Sequence, residues 1–136
     1  MEGKGRITGH TGLLALLGSP VGHSGSPAMY NYSFEKLGLD YAYVAFDIKV
    51  EAVKAALDAM RLFHMRGCNV TMPCKTEAAK YMDELSPAAR IIGAVNTIVN
   101  EDGKLIGHMT DGEGFVGNLR DHGIEIKGKK ITVAGG

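Results

Sequence analysis

The chain has 136 residues, 45% of them hydrophobic and 22% charged, which is typical of a globular domain that buries about two thirds of its unfolded surface. Its 15 Lys and Arg residues balance 15 Asp and Glu residues, so the charge gives no sign of a nucleic-acid or membrane surface. The two cysteines, Cys68 and Cys74, do not form a C-x-x-C pair, and we interpret both as reduced thiols of a cytoplasmic protein.

The first predicted elements are a lead-in, a buried strand and a helix. Residues 1–12 are polar and contain glycine, and we expect a flexible segment there. The run Leu13–Leu17 is apolar on both faces, as in a central strand, and is too short for a signal peptide or a membrane span. Ser26 followed by Pro27 is typical of a helix N-cap, and the helix is predicted to end at Gly38. Its inward stripe is predicted to consist of Met29, Tyr30, Ser33, Phe34 and Leu37.

The middle of the chain alternates between strand and helix patterns. Tyr41–Phe46 and Gly67–Val70 read as strands, while apolar residues recur at helical spacing from Val50 to Phe63. A further helix is predicted from Thr76 to Leu85. This alternation predicts a largely parallel sheet with right-handed crossovers.

The last third of the chain predicts a hairpin and a final helix, which follows Thr110–Gly114 and ends at Gly123. A short helix from Ser86 to Gly93 precedes two strands, Ala94–Val99 and Lys104–Met109. The sequence Asn-Glu-Asp-Gly between them is a hairpin signal, so one strand should be antiparallel. The fold class is therefore α/β, an open and mostly parallel mixed sheet in three layers, with helices on both faces.

Candidate chemistry begins at the strand-to-helix junction Asn69–Lys75, the type of position where open α/β sheets bind ligands. Lys75 lies where a helix should begin, and the positive end of the helix dipole disfavours a cation there. Its charge then needs a partner, or its pKa must be lowered, and both circumstances suit a catalytic lysine. The alternative is an ordinary solvent-exposed lysine.

Four motifs stand out, in chain order GSPVGHSGSP at 18–27, NVTMPCK at 69–75, GAVNT at 93–97 and TDGEG at 110–114. Together they resemble the motifs of the substrate-binding domain of the shikimate dehydrogenase and quinate/shikimate dehydrogenase family. Each motif alone is weak, but four in the right order are specific. The resemblance implies NADP- or NAD-dependent interconversion of 3-dehydroshikimate and shikimate in aromatic amino-acid biosynthesis, with quinate as a second candidate substrate.

The resemblance also implies roles for single residues. Lys75 is expected to act as general acid and base, and Asp111 to contact the substrate hydroxyl beside it. The remaining expected substrate ligands are Ser24 and Ser26, for the carboxylate, and Thr71 and Asn96, for ring hydroxyls. Ser26 and Asp111 have a second interpretation as helix N-caps, and Asn96 as a residue that satisfies loop backbone groups.

The pairing of Lys75 with Asp111 has a physical rationale. Hydride transfer from an alcohol requires a base for the hydroxyl proton, and the reverse reaction requires an acid. Both residues follow a predicted strand and precede a predicted helix, and such strand ends converge on one edge of a sheet. One departure from the family pattern is Met109, which stands where asparagine is usual, so we expect an altered contact in that loop.

The resemblance divides the chain into three parts: a lead-in at 1–12, a substrate-binding catalytic domain at 13–126, and the first strand of a dinucleotide-binding domain at 127–136. A strand is predicted at Ile131–Ala134, and Gly135 and Gly136 would start the cofactor's glycine loop. The alternative to an enzyme is a truncated fragment that only binds shikimate or quinate. The histidines show no ligand spacing, so no metal site is predicted. The oligomeric state is left open.

Overall fold

The computed structural model describes residues 7–135, which form one six-stranded sheet flanked by helices. The strands are β1 (Gly12–Gly18), β2 (Tyr41–Asp47), β3 (Gly67–Val70), β4 (Glu84–Leu85), β5 (Thr97–Glu101) and β6 (Lys104–His108). The helices are α1 (Ser26–Leu37), α2 (Val53–Leu62), α3 (Lys75–Ala79), α4 (Pro87–Ile92) and α5 (Asp111–Asp121). A 3-10 turn, Val50–Ala52, leads into α2.

The sheet order is β2-β1-β3-β5-β6-β4. β1 pairs in parallel with β2 and β3, and β4 pairs in parallel with β6, whereas β5 is antiparallel to both of its neighbours. The mixed, mostly parallel α/β sheet predicted from the sequence is therefore confirmed, including its one antiparallel strand.

β1 is central to the core because its side chains belong to two apolar clusters, one on each face of the sheet. Ala15 and Leu17 pack with residues of α2, α3 and α4, while Leu16 packs with Tyr43 and with partly buried residues of α1. This alternation explains why the run is apolar at every position rather than at every second one. Within residues 7–135, no helix is both long and apolar enough to span a bilayer.

The predicted helix from Thr76 to Leu85 is wrong in its second half. The helix α3 ends at Ala79, and the chain then joins the sheet as β4. Asp83 accounts for this change, because its N–H donates to the carbonyl of Leu105 at 2.9 Å and its carboxylate accepts the N–H of the same residue at 2.7 Å. These two bonds to Leu105 hold the chain beside β6, where Glu84 and Leu85 form the last strand of the sheet.

The helix α1 begins and ends near the predicted residues, but its cap and its inward face differ. Gly25, and not Ser26, is the N-cap residue. Met29 and Leu37 of the predicted stripe are 56% and 71% exposed. A polar residue takes part in the inward face instead, since Asn31 donates to the carbonyl of Tyr43 at 2.7 Å and accepts its N–H at 2.9 Å.

The hairpin is confirmed, with Asp102 and Gly103 as its two-residue turn between β5 and β6. β5 begins at Thr97 rather than Ala94. The N–H of Val95 donates to the carbonyl of Lys75, which lies in α3, whereas the N–H of Asn96 donates to His108 at the end of β6.

The two ends of the chain are less regular than the sheet. Residues 1–6 of the predicted lead-in lie outside the described residues, and Thr8 to Thr11 form a hydrogen-bonded turn. The predicted strand Ile131–Ala134 pairs with no strand among residues 7–135. Its apolar side chains Ile131 and Val133 are 66% and 80% exposed, and a strand needs a neighbour to receive its backbone hydrogen bonds.

Gly67 lies where β3 and β5 approach too closely for a side chain. A Cβ at this position would lie 2.5 Å from the backbone carbonyl oxygen of Ile98, which cannot move without disturbing β5. We expect Gly67→Ala to lower the free energy of unfolding by about 1–3 kcal/mol in a urea titration.

Gly117→Ala provides the matched control. Gly117 lies inside α5 with no atom within 4 Å of an added Cβ, so alanine should stabilise the helix by about 0.5–1 kcal/mol. A loss at Gly67 no larger than the change at Gly117 would contradict the close approach of β3 and β5.

Candidate active site

The polar residues singled out in the sequence lie along the edge of the sheet that is formed by the ends of its strands. β1, β3 and β6 end there, and the antiparallel β5 begins there. Backbone hydrogen bonds join the loops to the neighbouring strand ends: Thr71 donates to Leu17 of β1, and Val70 of β3 donates to Asn96, both at 2.8 Å. These bonds fix the loops relative to each other before any side chain is considered.

Lys75 and Asp111 form an ion pair through Lys75 Nζ and Asp111 Oδ2. Lys75 is the first residue of α3, and Asp111 is the first residue of α5. The carboxylate supplies the partner that a cation at a helix start requires, and it also lies favourably at the positive end of its own helix. The side chain of Lys75 is 24% exposed and that of Asp111 is 54% exposed, so the pair remains open to a ligand.

Asn96 is the third member of this group. Its Nδ2 donates to Asp111 Oδ1 at 2.8 Å and contacts Thr110 Oγ1 at 2.9 Å. Its Oδ1 accepts the backbone N–H of Thr110 at 3.1 Å. A carboxylate can only accept and an N–H can only donate, so these contacts fix which end of the amide is which.

The electrostatics of the pair follow from these contacts. The hydrogen bond from Lys75, supported by the one from Asn96, lowers the pKa of the Asp111 carboxyl below its ordinary value, although partial burial acts in the opposite direction. The arrangement therefore holds an ionised carboxylate beside an amine at the sheet edge. Such a pair can orient a proton donor or acceptor toward a bound hydroxyl.

The remaining predicted ligands lie on neighbouring loops. Ser24 Oγ accepts the N–H of Ser26 at 3.2 Å, which stabilises the turn into α1. The Ser26 and Thr71 hydroxyls make no hydrogen bond within the described part of the chain, so both can bind a ligand. Within the described residues, neither serine forms a hydrogen bond with Lys75, Asp111 or Asn96. The loops themselves are linked, because Ser19 donates its N–H to the carbonyl of Met72 at 3.0 Å.

Two N-cap interpretations are corrected. The N-cap of α5 is Thr110, and the Asp111 side chain bonds Lys75 and Asn96 instead of a helix N–H. Ser26, as described above, follows its cap. Met109 is 9% exposed and belongs to the apolar core, so its side chain is not part of the polar group around the Lys75–Asp111 ion pair.

The described residues do not form a cradle for a dinucleotide. Gly112 and Gly114 lie inside α5 rather than in a phosphate-binding loop. Gly135 is exposed with φ of 84°, and Gly136 lies outside the described residues. Within residues 7–135, no group of three or more His, Cys, Asp or Glu residues is placed to hold a metal ion.

An apolar cavity of about 240 Å³ lies elsewhere, between β1 and α2, and is lined by residues that include Leu17, Met60 and Phe63. The Lys75 group instead occupies an open edge. We base the candidate site on the polar group because the cavity offers no acid, base or ion pair for chemistry.

Sequence reasoning assigned no site role to two residues of the motifs that it singled out. Thr110 fixes the Asn96 amide, and the side chain of Asn69 donates from Nδ2 to Thr97 Oγ1 at 3.2 Å and accepts from the Tyr43 hydroxyl at 2.9 Å. Asn69 precedes Thr71 by two positions, and alternate residues of an extended chain share a face. That spacing was the available signal for Asn69, whereas the partners in neighbouring strands depend on register.

A protein-family model described as the shikimate dehydrogenase substrate binding domain matches residues 16–98. A shikimate dehydrogenase (NADP(+)) from Listeria monocytogenes serotype 4b is 52% identical over 130 residues, which are 96% of this chain and 45% of that protein. The chain thus spans about half the length of the curated relatives it matches.

Solved structures give the same result. Shikimate 5-dehydrogenase from Listeria monocytogenes, in complex with shikimate and NAD, superposes with a TM-score of 0.87 at 52% identity, over 91% of this chain and 43% of that one. The enzyme from Thermus thermophilus, in complex with shikimate, superposes with a TM-score of 0.82 at 43% identity, over 88% and 46%.

Lys75→Met should raise the pKa of the Asp111 carboxyl toward its ordinary value, because the lysine is the main group that lowers it. NMR titration of the ¹³C-labelled carboxyl measures this directly. Because folding lowers the pKa of Asp111, its ionised carboxylate contributes to the free energy of unfolding at pH values above the ordinary pKa of the group. This contribution is lost as the pH falls through the lowered pKa. The stability difference between wild type and variant should therefore shrink below about pH 4.

The control is Lys80→Met, which removes a lysine that pairs with Glu77 just after the same helix. The pKa of Asp111 should not change in this variant. An equal rise in both variants would show that a general charge effect, and not the Lys75 contact, sets the titration of Asp111.

Proposed function

The chain belongs to the shikimate dehydrogenase family, and from that premise we propose that it is the substrate-binding part of an enzyme that interconverts 3-dehydroshikimate and shikimate. The observation that supports this best is the ion pair of Lys75 and Asp111, held by Asn96 at the edge where three strands end. The reaction consumes or releases one proton at a hydroxyl, and this pair provides a proton-transfer group beside open surface.

The proton chemistry is assigned to Lys75. In the direction of alcohol oxidation, the neutral amine takes the hydroxyl proton as the carbon–hydrogen bond gives up a hydride. In the direction of ketone reduction, the ammonium returns the proton to the oxygen that becomes negative. Asp111 orients the nitrogen through its Oδ2, and its Oδ1 is held by Asn96.

The substrate cradle is proposed to form around this pair. Thr71 and Asn96 bind ring hydroxyls together with Asp111, and Ser24 and Ser26 bind the carboxylate from the loop after β1. The free hydroxyls of Ser26 and Thr71 support these roles, as does the backbone bond that links the two loops. Ser24 then has two roles, since the same oxygen caps the turn into α1.

The nicotinamide coenzyme, NADP or NAD, accepts or supplies the hydride when it is bound. The residues that the structure describes offer no glycine loop for its phosphates, so we assign its binding mainly to sequence outside residues 7–135. The domain limits at residues 13–126 and 127–136, and the roles of Gly135 and Gly136, remain part of this proposal.

We also propose a cytoplasmic enzyme of aromatic amino-acid biosynthesis, with shikimate preferred and quinate as the competing substrate. Cys68 and Cys74 are unpaired and buried in the structure, which is consistent with a reducing compartment. Comparison of the two substrates with each coenzyme, followed by absorbance of the reduced nicotinamide, identifies both preferences.

Lys75→Met in the full-length protein should lower kcat by about a hundred- to ten-thousandfold, with little change in the Kd for shikimate, because the proton-transfer group is lost and the hydroxyl ligands remain. Steady-state kinetics and isothermal titration calorimetry measure the two quantities. Lys104→Met is the matched control, because it breaks the exposed pair with Glu84 at the start of β6, at the opposite end of that strand from Asp111. Turnover retained in Lys75→Met would refute the assignment.

Ser24→Ala should weaken shikimate binding by about tenfold or more, since a hydrogen bond to a charged group is lost, while the free energy of unfolding falls by no more than about 1 kcal/mol. Calorimetry on this chain gives the affinity. Ser33→Ala is the control, because this hydroxyl donates to the Met29 carbonyl within α1 and faces no proposed ligand. An unchanged affinity in Ser24→Ala would remove that residue from the cradle.

A further inference from the structure

A chain of side-chain hydrogen bonds runs from the ion pair into the sheet. Asn96 Oδ1 accepts from the hydroxyl of Thr97 at 3.2 Å, and Thr97 Oγ1 accepts from Asn69 Nδ2, also at 3.2 Å. Asn69 Oδ1 accepts from the hydroxyl of Tyr43 at 2.9 Å. The chain thus joins β2, β3 and β5 to the carboxylate at the start of α5.

We propose that Thr97 and Tyr43 are positioning residues, which act through Asn69 and Asn96 to hold Asp111 and Lys75 in place. The relay from Tyr43 to Asn96 defines one arrangement of donors and acceptors, and that arrangement presents the amide N–H of Asn96 to the carboxylate. This inference rests on the roles proposed above for Lys75 and Asp111.

The direction of every bond in the relay is determined at the carboxylate. Asp111 can only accept, so Asn96 turns Nδ2 toward it and Oδ1 toward Thr97. The single hydroxyl proton of Thr97 is then given to Asn96, and its oxygen must accept from Asn69 Nδ2. Asn69 therefore presents Oδ1 to Tyr43, whose hydroxyl donates. Reversing any member would place two donors or two acceptors face to face.

Thr97 is the member that transmits orientation to the site. Asn96 Oδ1 faces the backbone N–H of Thr110 at 3.1 Å and its hydroxyl at 3.4 Å on the α5 side, and the Thr97 hydroxyl at 3.2 Å on the β5 side. Loss of the Thr97 hydroxyl leaves the amide held from the α5 side only. Asn96 lies one position before β5, and its backbone N–H donates to the carbonyl of His108 at the end of β6.

Tyr43 is a rigid end for the relay. It is 2% exposed, its ring stacks on Tyr30 at a centroid distance of 4.5 Å, and Asn31 binds both of its backbone groups. Burial, with a smaller contribution from Tyr30, raises the pKa of the Tyr43 hydroxyl, so it keeps its proton and donates. A phenylalanine would fill the same space, so packing alone does not explain the hydroxyl.

The first experiment records the side-chain amide signals of Asn96 in ¹H–¹⁵N NMR spectra of this chain, without substrate. Thr97→Val should shift these signals and increase the exchange rate of the amide protons by about tenfold, because an orienting bond is lost. Thr97→Ser, which keeps the hydroxyl, should restore the wild-type signals. Tyr43→Phe should change them in the same direction by a smaller amount.

The second experiment measures turnover in the full-length protein. Thr97→Val should lower kcat/KM for shikimate by about tenfold, as expected for one lost hydrogen bond, and Thr97→Ser should recover most of it. Tyr30→Phe is the matched control for Tyr43→Phe, because it removes a neighbouring phenol hydroxyl that belongs to no relay bond. It should leave both the Asn96 signals and kcat/KM unchanged.

The outcomes separate this inference from the proposed function. Asn96 signals that are unchanged in both Thr97→Val and Tyr43→Phe would overturn the relay, whether or not shikimate binds. An equal loss of kcat/KM in Thr97→Val and Thr97→Ser would also overturn it, since shape and not the hydroxyl would then matter. The expected NMR changes in a chain that binds no shikimate would support the relay and refute the proposed function.

Discussion

The contact between Lys75 and Asp111 is the constraint on which the rest of this edge depends. The two residues are 36 positions apart, and each begins its own helix. A lysine at the positive end of a helix is unfavourable alone, and an aspartate there is favourable. Their pairing therefore requires α3 and α5 to start at the same edge of the sheet. The parallel direction of β3 and β6 meets this requirement, and β5 lies between them.

Close backbone approach is the second requirement. β3 lies against β5 at Gly67, where no side chain fits beside the Ile98 carbonyl, and the end of β1 lies against Thr71 at Gly18, where an added Cβ would meet the threonine methyl at 2.3 Å. These two glycines allow three strands to bring their loops within hydrogen-bond distance. A substitution at either glycine would therefore affect both the stability of the sheet and the geometry of the candidate site, although the site itself consists of polar residues.

The sequence permitted prediction of elements that depend on local patterns. The strand runs, the hairpin and the convergence of Lys75 with Asp111 follow from periodicity and from the rule that strand ends meet at one edge. The features that it did not reveal depend on cross-strand register or on single polar contacts. Asn31 faces inward because it binds the backbone of Tyr43, and β4 exists because Asp83 binds Leu105 twice. Neither contact has a periodic signature in the chain.

The antiparallel direction of β5 places the polar candidate site and the hairpin turn at opposite ends of the β5–β6 pair. Its first residue, Thr97, is opposite His108 at the polar edge, whereas Glu101 and Lys104 flank the tight turn about 13 Å away, four residue steps along the strand. Length variation in protein evolution concentrates at such exposed turns. An insertion after the exposed Asp102 would disturb the bonds that Gly103 makes with Arg61 and Asn100 but would leave Asn96, at the other end of β5, in place. This hairpin therefore offers a position for grafting peptides or labels onto the domain.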